Sequence, residues 1–239
     1  MVKQMKKEFL RGLKAGFPIG LGYLSVSITF GIMAISAGLH WWQVLLISML
    51  TLTSAGQVAS LSVIVNPGRY LELLISQSTI NVRYCFMSIA LSQKTDSKFK
   101  GIYKWLLGFF ITDEIFAVAM TQKKVSRSFF LGLGVLPYVG WALGTFVGAI
   151  LGGILPESVM IALGLAIYGM FIAIIVPPMK EDKTIIVAVV ISILFSCSFY
   201  YIPYLNQVPT GITISICAVV AALICAFLFP LKEEVENGQ

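Results

Sequence analysis

Charge is scarce in this chain. Aspartate, glutamate, lysine and arginine make up 12% of its 239 residues, against roughly 25% in a soluble domain. Too little polar surface remains to clothe a water-soluble particle of this size, so a soluble enzyme or carrier is excluded. Histidine occurs once and cysteine four times. No Cys/His cluster has metal-ligand spacing, so no metal is expected. Cys85, Cys197, Cys217 and Cys225 all fall in apolar stretches and read as small buried hydrophobes, not as a disulfide scaffold. His40 stands beside Trp41 and Trp42, which reads as an interfacial aromatic belt. There is no Walker A loop, zinc-protease helix, dinucleotide fingerprint or nucleophile elbow. ATP hydrolysis by this chain, catalytic residues and cofactors are therefore not expected. The 17 basic residues outnumber the 11 acidic ones, but the excess lies in loops. There it reports membrane orientation, and no nucleic-acid partner is expected.

What is present is apolar length. Eight segments stand out: Phe17–Leu39, Gln43–Val65, Tyr70–Leu91, Ile102–Met120, Phe129–Leu155, Ser158–Val176, Thr184–Ile202 and Thr210–Leu231. Each is near the ~20 residues that a helix needs to cross a bilayer. Their continuous apolarity argues against a barrel, whose strands alternate. The fold expected is an all-α polytopic membrane protein with seven to eight transmembrane segments in one membrane domain over 1–239. Residues 1–14 form a basic cytoplasmic N-terminus, 15–231 the bundle and 232–239 a polar tail. Lys3, Lys6, Lys7, Arg11 and Lys14 precede a run too long for a secretory core, so that run reads as a retained first helix.

Basic loops mark the cytoplasmic face. Eight full crossings satisfy this rule with one violation. The loop Ser92–Tyr103 carries Lys94, Lys98 and Lys100, yet is placed outside. Either the rule fails here, or the segments on either side do not both cross. A broken or re-entrant pair is admissible where its backbone faces protein or a water cavity.

Glycine gives two further signals. Gly140, Gly144, Gly148 and Gly152 recur every fourth residue and form a smooth helix stripe, as do Gly12, Gly16 and Gly20. Such stripes let backbones approach closely, within the chain or against a partner subunit. A weak internal repeat relates Phe17-Pro18, Gly22 and Gly31 to Leu136-Pro137, Gly140 and Gly144. It also relates Gly56-Gln57 to Gly169-Met170-Phe171.

Three charges lie inside apolar runs: Arg83, Asp113 and Glu114. Elsewhere the apolar stretches read as free of charge. A charge at mid-bilayer costs ~2.5–3.5 kcal/mol on insertion scales, so it persists where it pairs or works. The planar fork of Arg83 suits a carboxylate, and Asn81 nearby offers a donor and an acceptor. The pair reads as a substrate-carboxylate site or gate, or as a staple to Asp113 or Glu114. Asp113 and Glu114 point ~100° apart on a helix. One can face Arg83 while the other faces a cavity and carries a proton, unless both sit at the membrane interface. Thr53, Gly56 and Gln57 share a helix face in the second run. They read as a substrate path, a helix break or plain interhelical hydrogen bonding.

These residues occur in a familiar order. Pro18 comes with Gly22-Tyr23, and Gln57 follows a small-residue run. Asn81-Val82-Arg83-Tyr84 precedes Met87-Ser88, and Thr112-Asp113-Glu114 precedes Phe116-Ala117. Together, from about Gly12 to Pro178, they resemble the AzlC family of bacterial branched-chain amino acid permeases. The resemblance implies the large subunit of a proton-driven exporter of branched-chain amino acids. It also implies a small hydrophobic AzlD-type partner and a place in the bacterial cytoplasmic membrane. The run Thr53-Ser54-Ala55-Gly56-Gln57-Val58 departs from the family in what flanks the glutamine. The substrate is thus leucine, isoleucine, valine or a neighbour such as methionine. The residues alone fit an apolar zwitterion, with Arg83 for its carboxylate and Asp113 or Glu114 for its ammonium group. The alternative function is the substrate-capture membrane subunit of an ATP-driven importer, which would bind substrate tightly by itself.

Overall fold

The computed structural model describes residues 2–66, 68–96, 99, 101–152, 156, 158, 169, 172, 175–176, 179–180 and 182–230. It is helical throughout, with a single isolated bridge between Thr95 and Val125. The helices are α1 (Val2–Ser36), α2 (Trp41–Leu50), α3 (Ser54–Val65), α4 (Tyr70–Lys94), α5 (Ile102–Gly108), α6 (Asp113–Met120), α7 (Arg127–Leu151), α8 (Lys183–Tyr201) and α9 (Thr210–Leu228). The chain parts into two compact units. One comprises Met1–Gly68 with Ile80–Met170, the other Arg69–Thr79 with Phe171–Gln239. Of the expected elements, Ser158–Val176 falls almost entirely outside the described residues. So do Met170, Phe171, Lys98, Lys100 and the tail 232–239.

The first unit is built on α1 and α7, which run parallel. Along the seam Gly12 faces Phe129, Gly16 faces Leu133, Gly20 faces Gly140, and Gly148 faces Ile28. A Cβ added at Gly140, Gly144 or Gly148 would fall on the carbonyl oxygen of Gly20, Leu24 or Ile28. At Gly152 it would come within 3.2 Å of the Ile32 Cα. The stripe is therefore filled by α1 of the same chain. Lipid is as apolar as leucine, so helices gain little by hiding apolar surface from it, and close backbone approach carries the association instead. Pro18 and Pro137 lie inside these helices. Each lacks an N–H, and membrane helices tolerate this where neighbours cover the gap. α1 stops at Gly38, whose φ of +96° closes the helix. Leu39 N donates to Ala34 O at 3.1 Å and Gly38 N to Ile35 O at 2.8 Å, a left-handed cap that glycine adopts without strain.

Two of the expected crossings turn back instead. Segment 43–65 is α2 and α3, broken at Thr51–Thr53. α2 starts beside the C-terminal part of α7, where Trp41 packs edge-on to Phe146 at 6.0 Å. It reaches the middle of α7, where Met49 O accepts from Tyr138 Oη at 3.2 Å. α3 then returns, and Leu61 packs with Val44, Phe30, Ala34 and Ala149. Segment 102–120 is α5 and α6, broken at Phe109–Thr112. Here both ends lie at the opposite, basic end of α7. The Arg127 guanidinium sits 4.0 Å over the Tyr103 ring, and Lys94 Nζ donates to Met120 O at 2.6 Å. The tip of this hairpin also reaches Tyr138, with ring centroids 5.8 and 5.9 Å away for Phe109 and Phe110. The ten residues of α2 and eight of α6 rise only ~12–15 Å, half of a ~30 Å hydrocarbon core. Hydropathy reads such a hairpin as one crossing because its summed apolar length is the same. Among the described residues α1, α7, α8 and α9 are long and apolar enough to span. The 25-residue α4 has the length and is unbroken.

In the second unit Glu72, another charge inside an apolar run, is only 5% exposed. Its carboxylate accepts from Gly211 N at 3.1 Å and pairs with Arg69 Nε at 2.7 Å. The N-cap of α9 is Pro209, which offers no capping side chain, and Glu72 fills that role at the positive end of the helix. The cysteines are all free, and Cys217 alone is buried while Cys85 and Cys197 are exposed. The expectation that all four are buried is corrected to that extent. In a bilayer an apolar thiol can face lipid as readily as protein.

Two outcomes follow from this architecture. In a cysteine-free background, cysteines at Lys104 and Lys123 should react with an impermeant maleimide from one membrane face, and a cysteine at Asn66 from the other. Labelling of Lys104→Cys and Lys123→Cys from opposite faces would show that α5–α6 crosses. Gly148→Leu should cost more than the ~1–3 kcal/mol of ordinary overpacking, because it meets backbone. Gly22→Leu, where an added Cβ meets nothing within 4 Å, should be tolerated; thermal stability in detergent compares the two.

Candidate functional site

Between the two apolar clusters of the first unit lies a polar belt at mid-height. Its buried members are Ser27, Thr29, Ser48, Gln57, Thr112 and Thr145. Both hairpin tips end in this belt, and α4 runs past them carrying Asn81 and Arg83.

At the tip of α5–α6 the chain is extended at Thr112 and re-enters a helix at Asp113. Thr112 Oγ1 caps that helix by accepting from Ile115 N at 3.4 Å. Asp113 and Glu114 occupy its first turn, where the helix dipole favours negative charge. Their directions diverge as adjacent helical positions must. Asp113 Oδ2 meets Arg83 Nη1 at 2.7 Å, while Glu114 Oε2 accepts from the Tyr23 hydroxyl. That hydroxyl also lies 2.7 Å from Thr112 Oγ1. One phenolic proton serves one acceptor, and the carboxylate is the stronger. The Thr112 hydroxyl is then left to donate to Tyr23, forming a chain Thr112–Tyr23–Glu114.

Arg83 and Asp113 are 38% and 28% exposed, so the pair is not sealed inside the protein. Arg83 Nε is buried and finds no partner among the described residues. The fork thus retains donor capacity beyond its bond to Asp113. Its guanidinium stacks on Tyr84, 5.1 Å from the ring centroid.

At the other tip Thr53 Oγ1 donates to Asn81 Oδ1 at 2.7 Å and does not cap α3. Gly56 is buried in the first turn of α3. Gln57 points elsewhere. It is 2% exposed, donates to Ser48 Oγ at 3.2 Å and accepts from Trp141 Nε1 at 3.0 Å. Ser48 Oγ lies 2.8 Å from Thr145 Oγ1. Gln57 therefore ties α2, α3 and α7 together. The structure brings Thr53 to Asn81 and Asp113 to Arg83, both on α4, and turns Glu114 of α6 toward Tyr23 on α1.

Tyr23 is the residue that sequence reasoning left without a role, although Gly22-Tyr23 was noted. Its ring packs edge-on against Trp141 at 5.6 Å, which fixes the hydroxyl over the tip. A tyrosine in the middle of a long apolar helix needs a partner for its hydroxyl. That need is the signal that could have found it.

The family model described as "AzlC protein" matches residues 18–155. The chain belongs to the AzlC family. The AzlC match contains both hairpins, Tyr23, the Arg83–Asp113 pair and the glycine stripe through Gly152. A membrane protein of Archaeoglobus fulgidus is 32% identical over 178 residues, covering 72% of this chain and 76% of its own. One from Helicobacter pylori is 26% identical over 154 residues, covering 61% of this chain and 66% of its own. Both carry the description "Uncharacterized membrane protein". No solved structure matches. AzlC membership and these relatives make the chain a membrane protein of a transport-related family.

The two carboxylates should separate on substitution. Asp113→Asn leaves the Arg83 charge without a counter-ion and should cost more than Tyr23→Phe, which loses one hydrogen bond worth ~1 kcal/mol. Glu114→Gln keeps a hydrogen-bonding partner for Tyr23 and should be the mildest of the three. Unfolding midpoints of the purified variants give the order; a Glu114→Gln loss equal to that of Asp113→Asn would contradict the assignment.

Proposed function

We propose that this AzlC protein is a secondary transporter that exports branched-chain or similar apolar amino acids across the bacterial cytoplasmic membrane. Its basic end faces the cytoplasm, it works with a small hydrophobic AzlD-type subunit, and a proton moves in exchange. The observation that carries this reading is the 2.7 Å pair of Arg83 with Asp113, at the helix break between α5 and α6. A zwitterion can exchange with such a pair. Its carboxylate takes Asp113's place on the arginine fork, and the released carboxylate accepts the ammonium group. Thr53 of the other tip holds Asn81, two residues before Arg83 on α4, and so braces the same stretch of helix. One of the two carboxylates, Asp113 on Arg83 or Glu114 on Tyr23, takes up and returns the proton. Discontinuous helices at mid-membrane are the common setting of such sites in secondary transporters. The apolar clusters above and below the belt receive an aliphatic side chain.

The test is efflux of labelled L-leucine from proteoliposomes, with and without a pH gradient and the small subunit. Arg83→Lys keeps the charge but not the bidentate fork. It should lose at least roughly tenfold in flux, which is ~1.4 kcal/mol, and Arg83→Ala should be inactive. Wild-type flux through folded Arg83→Ala would remove the pair from the mechanism.

A further inference from the structure

A cavity of about 290 Å³ lies between the basic half of α4 and the α5 limb of the hairpin. This is close to the ~300 Å³ at which pockets for drug-sized ligands begin, and so suits a solute of amino-acid size. Buried Phe99, Ile111 and Phe130 form an apolar wall. Ser92 and Lys104 supply polar groups and are both exposed. The Ser88, Ser92 and Thr95 hydroxyls donate to backbone carbonyls, which leaves their lone pairs for an ammonium group. The chemistry is therefore that of an apolar body with a zwitterionic head. The cavity's position is close to the ion pair along the chain. Ile111 belongs to the hairpin tip, two residues before Asp113. Ser88, also on the lining, is five residues beyond Arg83 on α4, ~7.5 Å along the axis.

The geometry points to this cavity as a second binding site, an entry pocket on the basic face for an apolar α-amino acid. Lys104 receives the carboxylate, the side chain lies against Phe99, Ile111 and Phe130, and the solute passes the tip to reach Arg83. The pocket rests on the transport reading for its role but not for its occupancy. Gly108 lines it and terminates α5. A Cβ added there meets nothing within 4 Å, so a larger side chain can enter the cavity without disturbing backbone.

The experiment is protection of a single cysteine. Ser92→Cys in a cysteine-free chain is labelled from the basic face with an impermeant maleimide, in the presence of L-leucine, L-methionine or L-glutamate. Leucine and methionine should slow labelling severalfold and glutamate should not. Adding Gly108→Leu should abolish the protection, and Lys104→Gln should shift it to higher leucine concentration. The Lys104→Gln arm decides the matter if Gly108→Leu does not fold. Unchanged labelling at leucine concentrations that saturate flux overturns the site. Equal protection by all three amino acids overturns the chemistry assigned to it. Protection without any wild-type flux keeps the pocket and overturns transport instead.

Discussion

The parallel contact between α1 and α7 leaves no space for side chains along its seam. Glycine on each helix meets carbonyl oxygens on the other, from Gly12 opposite Phe129 to Gly148 opposite Ile28. Two helices held this close form a narrow, rigid wall, and other elements of the first unit are placed against it. Tyr23 and Trp141 reach from this wall to the hairpin tips, one on each helix. Were the seam opened by a side chain, Tyr23 would move relative to Glu114, and Trp141 relative to Gln57. The packing and the chemistry are thus one problem in this protein.

Placing helix breaks at mid-membrane sets a second condition. Non-helical backbone in the hydrocarbon region must find partners within protein or water. At one tip Thr112 caps α6, and at the other Met49 O is met by Tyr138. Phe109, Phe110 and Tyr138 shield the tips with edge-on rings. Gln57 adds a buried amide whose oxygen and nitrogen both find partners. The polar belt therefore costs little desolvation where it is closed, and its charged members, Arg83, Asp113 and Glu114, stay partly exposed.

Much of this was legible in residues. The membrane class followed from the scarcity of charge, and the seam from glycines at every fourth position. The pairing of Arg83 with one acidic neighbour followed from the ~100° between adjacent helical positions. The turning back of α2–α3 and α5–α6 was not, because composition measures depth in the bilayer and not direction of travel. Its traces were the basic loop after Lys94, which eight full crossings put on the wrong face, and the strip Thr53, Gly56 and Gln57, one reading of which was a helix break. The hydrogen bonds of Gln57 and Tyr23 depend on side chains distant in sequence, which no local pattern shows. Glu72 was passed over because a single carboxylate near a helix start resembles an ordinary end-of-segment charge.

The common direction of α1 and α7 has a consequence of parity. Two spanning helices that point the same way require an odd number of crossings between them. Each hairpin contributes none, so α4 alone makes the return. The centre of the first unit is then blocked from one face by α2–α3 and from the other by α5–α6, with a single strut between. On the proposed transport reading, withdrawing either plug would expose the arginine to one compartment while the other plug kept the second compartment shut.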